Sequence, residues 1–421
     1  MDFWTIETLL QCTSNLHLFS AQQQSDFLEL MNSKYPPAVY SLHLKQRRQA
    51  LKSITDSRDT LNNATQLFPP FIKWDHIQTN PESLNGFALV FTAGGEGERL
   101  RLSLMEQGYT LSALKDFTKA TFPLPEFYQD FGTLQTNLAM VSSFCKTSGI
   151  DIPVIVTTGP QGSITAKVIP EILREKNNFG LCHIKVIPQD ERLHFTMDEK
   201  ILCCEISGHL SPLTQPDETG GPLMMLKQKW DNSGETILDW LQRHNCSKLI
   251  VVQATALYDL RLLPIIANAL ANHDCLGIGI LRETFPEKDP FGTFVTIMKD
   301  NQKKILILEQ NVRNEATRLL KDPSGKYHLP FNTGFYAFKS DLLKNNNLPD
   351  YATPPKETLP GYQRSPKIGY AATDLLPLAV DPLILAIDPQ MFGVLKTADD
   401  LKMLGMLGKK FGLDQLCSKT D

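Results

Sequence analysis

Residues 87–100 read Phe-Ala-Leu-Val-Phe-Thr-Ala-Gly-Gly-Glu-Gly-Glu-Arg-Leu, an apolar run that passes directly into a glycine-rich turn ending in an arginine. The run predicts a strand, and the turn predicts a place where backbone meets an anion. Gly94, Gly95 and Gly97 permit positive φ and close approach of peptide N–H groups, while Arg99 adds a guanidinium fork suited to phosphate oxygens. An unliganded strand-to-helix turn would use the same residue types, so the stretch alone leaves both readings open. Its spacing does exclude two common phosphate loops. The dinucleotide fingerprint Gly-x-Gly-x-x-Gly is absent, because its last glycine has no counterpart after Gly97, and the Gly-Lys-Ser/Thr ending of a Walker A loop is missing.

Working outward, short apolar runs recur at Val154–Thr157, Leu249–Gln253, Leu276–Leu281, Ile305–Leu308 and Leu383–Ile387, separated by stretches of helical periodicity. Alternation of this kind predicts an α/β fold: a mixed, mostly parallel sheet covered by helices, Rossmann-like in plan. Active sites in open α/β sheets lie beyond the carboxyl ends of the strands, so the residues just after these runs carry the functional expectation. Before Pro69 and Pro70 the pattern is helical. Ser20 with Gln23 suits a capping box, and Phe27, Leu28, Leu30 and Met31 follow as an apolar stripe. Three segments are expected: an N-terminal helical segment at 1–75, a catalytic domain at 76–405, and a C-terminal helix and tail at 406–421. The proline-studded passage from Pro354 to Pro366 reads as an ordered surface loop.

With 421 residues, 42% hydrophobic and 21% charged, the chain has ample material for a large core. A net charge of -4 gives no electrostatic footprint for nucleic acid, so any polyanion must be met by a local site. The eight cysteines show no Cys-x-x-Cys pair, which argues for reduced thiols and against a zinc site. Adjacent Cys203 and Cys204, in the strand-like Ile201 to Ile206, read as core. No apolar run of about 18 residues is present to span a membrane. A cytoplasmic location is the expectation. His183, His194 and His209 show neither metal spacing nor a nucleophile partner and are assigned no chemistry.

The segment Ala93-Gly94-Gly95-Glu96-Gly97-Glu98-Arg99-Leu100 resembles the Gly-Gly-x-Gly-Thr-Arg-Leu signature of the sugar-1-phosphate nucleotidyltransferases, specifically the UDP-sugar pyrophosphorylases. Lys119, in Thr118-Lys119-Ala120-Thr121-Phe122-Pro123, sits where that family has a lysine before a proline. Gln215-Pro216-Asp217-Glu218-Thr219-Gly220-Gly221-Pro222 is similar to the Pro-Asp-Gly-Asn-Gly-Gly turn with which UDP-N-acetylglucosamine pyrophosphorylases hold uridine and sugar. Phe331-Asn332-Thr333-Gly334 resembles the asparagine-bearing strand beside sugar and metal, and Leu308-Glu309-Gln310 resembles the Val-Val-Glu-Tyr sugar-contact segment. Phe392 to Leu401, with Lys396, is similar to the Phe-x-Pro-Val-Lys-Thr-x-x-Asp-Leu segment. These pieces span roughly residues 75 to 405, in the family's order.

The resemblance implies a uridylyltransferase that joins UTP to a sugar-1-phosphate, releases pyrophosphate and uses Mg²⁺. Its partners would be those two small molecules, with no nucleic acid and no membrane, and the protein would be a monomer or weak homo-oligomer. Arg99, Lys119 and Lys396 would be catalytic. Ala93, Gly94, Gly95, Gly97, Pro216, Asp217, Gly220, Gly221, Thr255, Glu309 and Asn332 would contact substrate. The chemistry suits these residue types: attack of a sugar-1-phosphate oxygen on the α-phosphorus brings two anions together, so positioning and charge neutralisation carry the rate. Arg99 and the Gly220-Gly221 pair favour N-acetylglucosamine-1-phosphate as acceptor, whereas the 392–401 segment leans toward glucose-1-phosphate.

One departure concerns the metal. The family's Val-Asp-Asn strand end supplies an aspartate, but here Ala254 stands in that place, with Thr255 after it. Asn332 then remains as a ligand, helped by Gln253 and the substrate's own oxygens, or by Asp217 or another carboxylate. Glu98 and Arg101 also replace the family's threonine and glycine. A sugar-nucleotide-binding protein that has lost turnover is therefore a second reading.

Overall fold

The computed structural model describes residues 3–63, 65–95, 97–125, 127–128, 131–206, 208–230, 234–284, 291–299, 302–309, 313–355 and 364–413. Gln310, most of the 354–366 passage and the tail beyond residue 413 lie outside them. The chain divides into two compact units, one made of Met1–Asn62, Asp190–Pro222 and Leu348–Ala372, the other of Asn63–Gln189, Leu223–Asn347 and Thr373–Asp421.

In the first unit the helices α1 (Ile6–Cys12), α2 (Ala21–Lys34) and α3 (Pro37–Asn63) follow one another. Ser20 accepts from the Gln23 backbone N–H while the Gln23 side chain reaches back, so the expected capping box starts α2. Phe27 and Met31 of α2 are buried with Trp4, Leu9, Leu16 and Tyr35, and Leu193, Phe195, Ile201, Cys203 and Leu210 complete that core. The N-terminal helices thus bury their apolar stripe against short strands that arrive much later in the sequence.

The second unit is built on an eleven-stranded sheet among the described residues: β1 (Gln66–Leu67), β2 (Phe71–Lys73), β3 (Phe87–Thr92), β4 (Val154–Thr158), β5 (Ile184–Pro188), β6 (Lys248–Gln253), β7 (Cys275–Arg282), β8 (Thr293–Lys299), β9 (Gln302–Leu308), β10 (His328–Lys339) and β11 (Pro382–Ile387). Its main path runs β2-β11-β7-β10-β6-β3-β4-β5, with β8 pairing β1, β9 and β10 off that path. Along the path only β10 is antiparallel to its neighbours, β7 and β6. The fold is the mixed, mostly parallel sheet that the sequence predicts, and each apolar run named above is a strand. Residues Phe87 to Phe91 are wholly buried, as a strand covered on both faces must be.

Helices α4 (Glu98–Glu106), α5 (Thr133–Ser148), α6 (Ile164–Glu175), α7 (Leu262–Leu270), α8 (Leu375–Leu378) and α9 (Asp399–Lys410) accompany the sheet. Leu100 and Leu104 of α4, Leu134 and Leu138 of α5, Ile169 of α6, Ile266 of α7 and Leu401 and Leu404 of α9 join one continuous core with Leu89, Phe91, Val156, Ile250 and Leu385. Among the described residues no helix is long and apolar enough to cross a membrane.

Candidate active site

Chain order defines where a ligand belongs. From β3 the chain moves outward to β4 and β5, then returns to the opposite flank of β3 as β6, so the order reverses between β3 and β6. A crevice opens beyond the carboxyl ends of two parallel strands at such a switch point. Thr92 and Gln253 are register partners at those ends, followed by Ala93 to Gly97 on one strand and Ala254 to Thr255 on the other.

The glycines of the first loop have different physical reasons. Gly97 sits at φ +68° and caps α4, and a Cβ there would meet the Lys119 Cβ at 2.8 Å and the Phe117 ring at 2.9 Å. Gly94 is hemmed in, with a would-be Cβ 2.5 Å from the Gln189 Nε2. A Cβ on Gly95 would meet nothing within 4 Å, and its φ lies outside the left-handed region. Neither packing nor dihedral demands glycine at Gly95, yet the position is exposed at the mouth of the loop, where a bound anion would need bare backbone. Glu98 and Arg99 are exposed in the first turn of α4, where the helix dipole favours Glu98. Arg101 lies 5.5 Å over the Phe117 ring.

Gln189, which the sequence reading missed, lies beside this loop. It is 6% exposed, its backbone N–H donates to the Thr158 carbonyl at 3.2 Å, and its side-chain Oε1 has no hydrogen-bond partner among the described residues. A buried amide oxygen without a donor is costly unless something else fills the valence. The signal was available, since Gln189 directly follows β5, but Lys185 and Pro188 interrupt the apolar run that would have marked that strand.

Three cations gather near the loop. Lys119 is half-buried, and burial, reinforced by Arg99 and then Lys396, lowers its pKa to about 8, with Asp400 opposing. Lys396 is placed by backbone hydrogen bonds on either side. The Leu395 N–H donates to the Thr255 carbonyl at 2.9 Å, and the Lys396 and Thr397 N–H groups donate to Asp400 Oδ2 at 2.8 Å each. Its Nζ stands 3.5 Å from the centre of the Phe291 ring. The structure therefore brings Arg99, Lys119, Lys396 and the carbonyl of Thr255 to one region of this unit.

Asn332 enters β10 opposite Gly279. Its Oδ1 accepts from the Gly334 N–H at 2.9 Å and from the Tyr336 hydroxyl at 3.0 Å. Gly334, at φ +72°, leaves the space into which the Gln253 amide packs, a Cβ there falling 2.2 Å from Nε2. Glu309 is solvent-accessible but crowded by protein on its other sides, which raises its carboxyl pKa, with Arg313 and Lys396 pulling it back.

These residues do not compose a ligand set for a protein-held divalent cation. Ala254 is buried and offers a methyl group, its carbonyl taken by Thr133 Oγ1 at 2.7 Å. Asn332 Oδ1 already accepts two hydrogen bonds, and no group of three or more histidine, cysteine or acidic side chains among the described residues has metal-binding geometry. A hard dication wants free carboxylate or carbonyl oxygens.

Within the first unit, the Pro216 to Gly221 turn leaves the strand Thr214–Pro216, which pairs with Glu191–Leu193. The Asp217 carbonyl accepts from Gly221 and Tyr370 N–H groups at 3.0 Å each, and Gly220 N–H donates to the Tyr370 carbonyl at 2.7 Å. The Asp217 carboxylate is buried against the Arg192 guanidinium, which also reaches Asp350 at 3.2 Å and lies 4.4 Å over the Tyr370 ring. Asp217 is thereby tied into an ion pair. Burial lifts its pKa to about 6 against the pull of Arg192. Glu218, where the family pattern has glycine, adopts φ +56°.

No family model matches the sequence, and no curated protein matches it. In three dimensions the chain is an α/β protein with the nucleotidyltransferase fold. More narrowly, its fold is similar to that of solved UDP-sugar pyrophosphorylases. It is similar to the uridine diphosphate N-acetylglucosamine pyrophosphorylase of Trypanosoma brucei in complex with an inhibitor, at 13% identity and a TM-score of 0.66 over 94% of this chain and 79% of that one. It is similar to a mutant UDP-glucose pyrophosphorylase of Leishmania major in complex with UDP-glucose, at 14% identity and TM-score 0.60 over 91% and 78%. A UDP-glucose phosphorylase of Trypanosoma brucei matches at 16% and 0.57 over 80% and 69%.

Proposed function

We propose that this protein is a uridylyltransferase that makes a UDP-sugar and pyrophosphate from UTP and a sugar-1-phosphate. The observation that carries the proposal is the joint occurrence, at the switch point, of a glycine-rich loop open to an anion, the unmet Gln189 amide oxygen and the Arg99, Lys119 and Lys396 cations. Nucleotidyl transfer needs each part. The N–H groups around Gly94 to Gly97 and the Arg99 and Lys119 side chains hold the triphosphate. Lys396 screens the incoming sugar phosphate so that its oxygen can approach the α-phosphorus in line as pyrophosphate leaves. Gln189 offers an acceptor and a donor side by side, the complement of a uracil edge. The Pro216 to Gly221 turn and Glu309 are assigned to the uridine and sugar by resemblance, and N-acetylglucosamine-1-phosphate is the favoured acceptor over glucose-1-phosphate. Magnesium enters this reading as the counter-ion of the triphosphate substrate.

The decisive experiment is a matrix of UTP, CTP, ATP and GTP against N-acetylglucosamine-, glucose- and galactose-1-phosphate, scored by pyrophosphate with and without Mg²⁺. Release with UTP and one sugar-1-phosphate is the expected result. Silence in every cell overturns the proposal. A second reading, a sugar-nucleotide-binding protein without turnover, is favoured by the poor metal-ligand set around Ala254 and Asn332, and calorimetric binding of UTP or UDP-sugar without product would select it.

A further inference from the structure

Arg101 stands one turn into α4, where its backbone N–H donates to the Gly97 carbonyl at 2.9 Å. Side chains on a helix lean toward its N-terminus, so a long one at this position runs back toward the loop. The Arg101 guanidinium carbon lies 5.5 Å from the centre of the Phe117 ring. The edge of that ring closes on Gly97, whose missing Cβ would fall 2.9 Å from Phe117 Cε1 and 2.8 Å from the Lys119 Cβ. Arg101, Phe117, Gly97 and Lys119 are therefore successive neighbours. Phe117 is itself braced, 5.6 Å from the Phe122 ring, which lies 6.0 Å from Tyr109. A braced ring holds a guanidinium in place, and contact through the ring face spends none of the in-plane N–H donors.

Those donors are unspent. Arg101 Nε is enclosed without a hydrogen-bond partner, and the side chain as a whole is half-buried, keeping an open edge. Among the described residues no carboxylate pairs with it, Glu98 one turn earlier included. A buried N–H without an acceptor is costly unless a ligand brings one. The pyrophosphorylase signature that this loop resembles has glycine where Arg101 stands, so the feature belongs to this chain.

We infer that Arg101 binds the terminal phosphates of the nucleoside triphosphate, and the pyrophosphate they become. The inference rests on the pyrophosphorylase reading. The α-phosphorus must stand open to the sugar phosphate and Lys396, whereas Arg101 lies farther along α4 than the loop, on the side suited to the leaving phosphates. A guanidinium fork grips two phosphate oxygens at once, a geometry that a lysine ammonium does not copy. UDP-sugar lacks these phosphates, so its binding is indifferent to Arg101.

The test runs the reaction in both directions. Pyrophosphorolysis of the UDP-sugar that wild type makes gives the pyrophosphate KM of wild type, Arg101→Met, Arg101→Gly and Arg101→Lys, the forward reaction gives their UTP KM, and calorimetry gives their UDP-sugar Kd. Methionine keeps an apolar stem over Phe117 without the charge. The expected result is a rise in pyrophosphate and UTP KM of roughly ten- to a hundredfold in Arg101→Met and Arg101→Gly, a partial recovery in Arg101→Lys, and an unchanged UDP-sugar Kd. An unchanged pyrophosphate KM in Arg101→Met overturns the inference while leaving the parent reading intact, even where Arg101→Gly is impaired, because Arg101 then only packs on Phe117. A matching loss of UDP-sugar affinity also overturns it, as the mark of a disturbed loop. Should wild type bind UTP without turnover, calorimetry with UTP and UDP-sugar makes the same comparison, and no binding of UTP at all overturns both readings. Circular dichroism identifies a variant that has lost its fold, and the remaining variants then decide.

Discussion

At the scale of single residues, Lys119 is the sharpest probe of the site. Its folded pKa of about 8 lies below the ordinary lysine value, so the free protein gives up a proton that a bound triphosphate would restore. Binding then takes up a proton above pH 8, and UTP affinity should fall as pH rises past that value, by about tenfold per unit until the pKa of the complex is reached. Calorimetry in buffers of different ionisation enthalpy should register the uptake, and Lys119→Arg should flatten the profile because arginine stays charged. Lys396→Ala should lower kcat/KM for the sugar-1-phosphate by roughly two to three powers of ten, the scale on which one screening charge acts in a partly desolvated site. Gln189→Leu should weaken UTP by roughly tenfold and reduce its preference over CTP, measured by competition. Lys119 and Lys396 were recognisable from their motif neighbours, whereas Gln189 was not, because Lys185 and Pro188 break the apolar run of the strand it follows and its unmet amide oxygen shows only in three dimensions.

At the scale of the element, the loop between β3 and α4 separates structural from functional glycine. Gly97→Ala forces a side chain into a left-handed turn and against Lys119, and should cost roughly 1–3 kcal/mol, read as a lowered thermal midpoint. Gly95→Ala meets open space and should leave the midpoint within about 1–2 °C, yet weaken triphosphate binding, because the added methyl occupies the approach to bare backbone. Equal loss of binding and stability in both would remove the ligand role of Gly95. Of the parallel strands, β3, β4, β6, β7 and β11 were readable as apolar runs, whereas β2 and β5 were not, β5 being broken by Lys185 and Pro188. The antiparallel insertion of β10 between β6 and β7 was not, because neighbours in a sheet are chosen by long-range pairing and not by local composition.

At the scale of the whole molecule, the first unit depends on residues far apart in sequence. Arg192 joins Asp217 and Asp350, with side-chain exposures of 5%, 9% and 17%. Arg192→Met should destabilise by about 3–5 kcal/mol, since it strands Asp217 as a buried charge, and urea unfolding monitored by circular dichroism measures the shift. Losing Arg192 and Asp217 together, as Arg192→Met with Asp217→Leu, should cost less than Arg192→Met alone.

The amino-acid sequence by itself determined the α/β class, six strands of the main sheet, the helical start and the glycine-rich loop after β3, because hydrophobic period and glycine placement act locally. Only the tertiary structure decided which groups lie near one another. It gathered Arg99, Lys119 and Lys396, left the Gln189 Oε1 without a partner among the described residues, and engaged Asn332 and Asp217 in bonds of their own. Burial and pairing are properties of neighbours in space, and residues more than a hundred positions apart become neighbours only when the sheet forms.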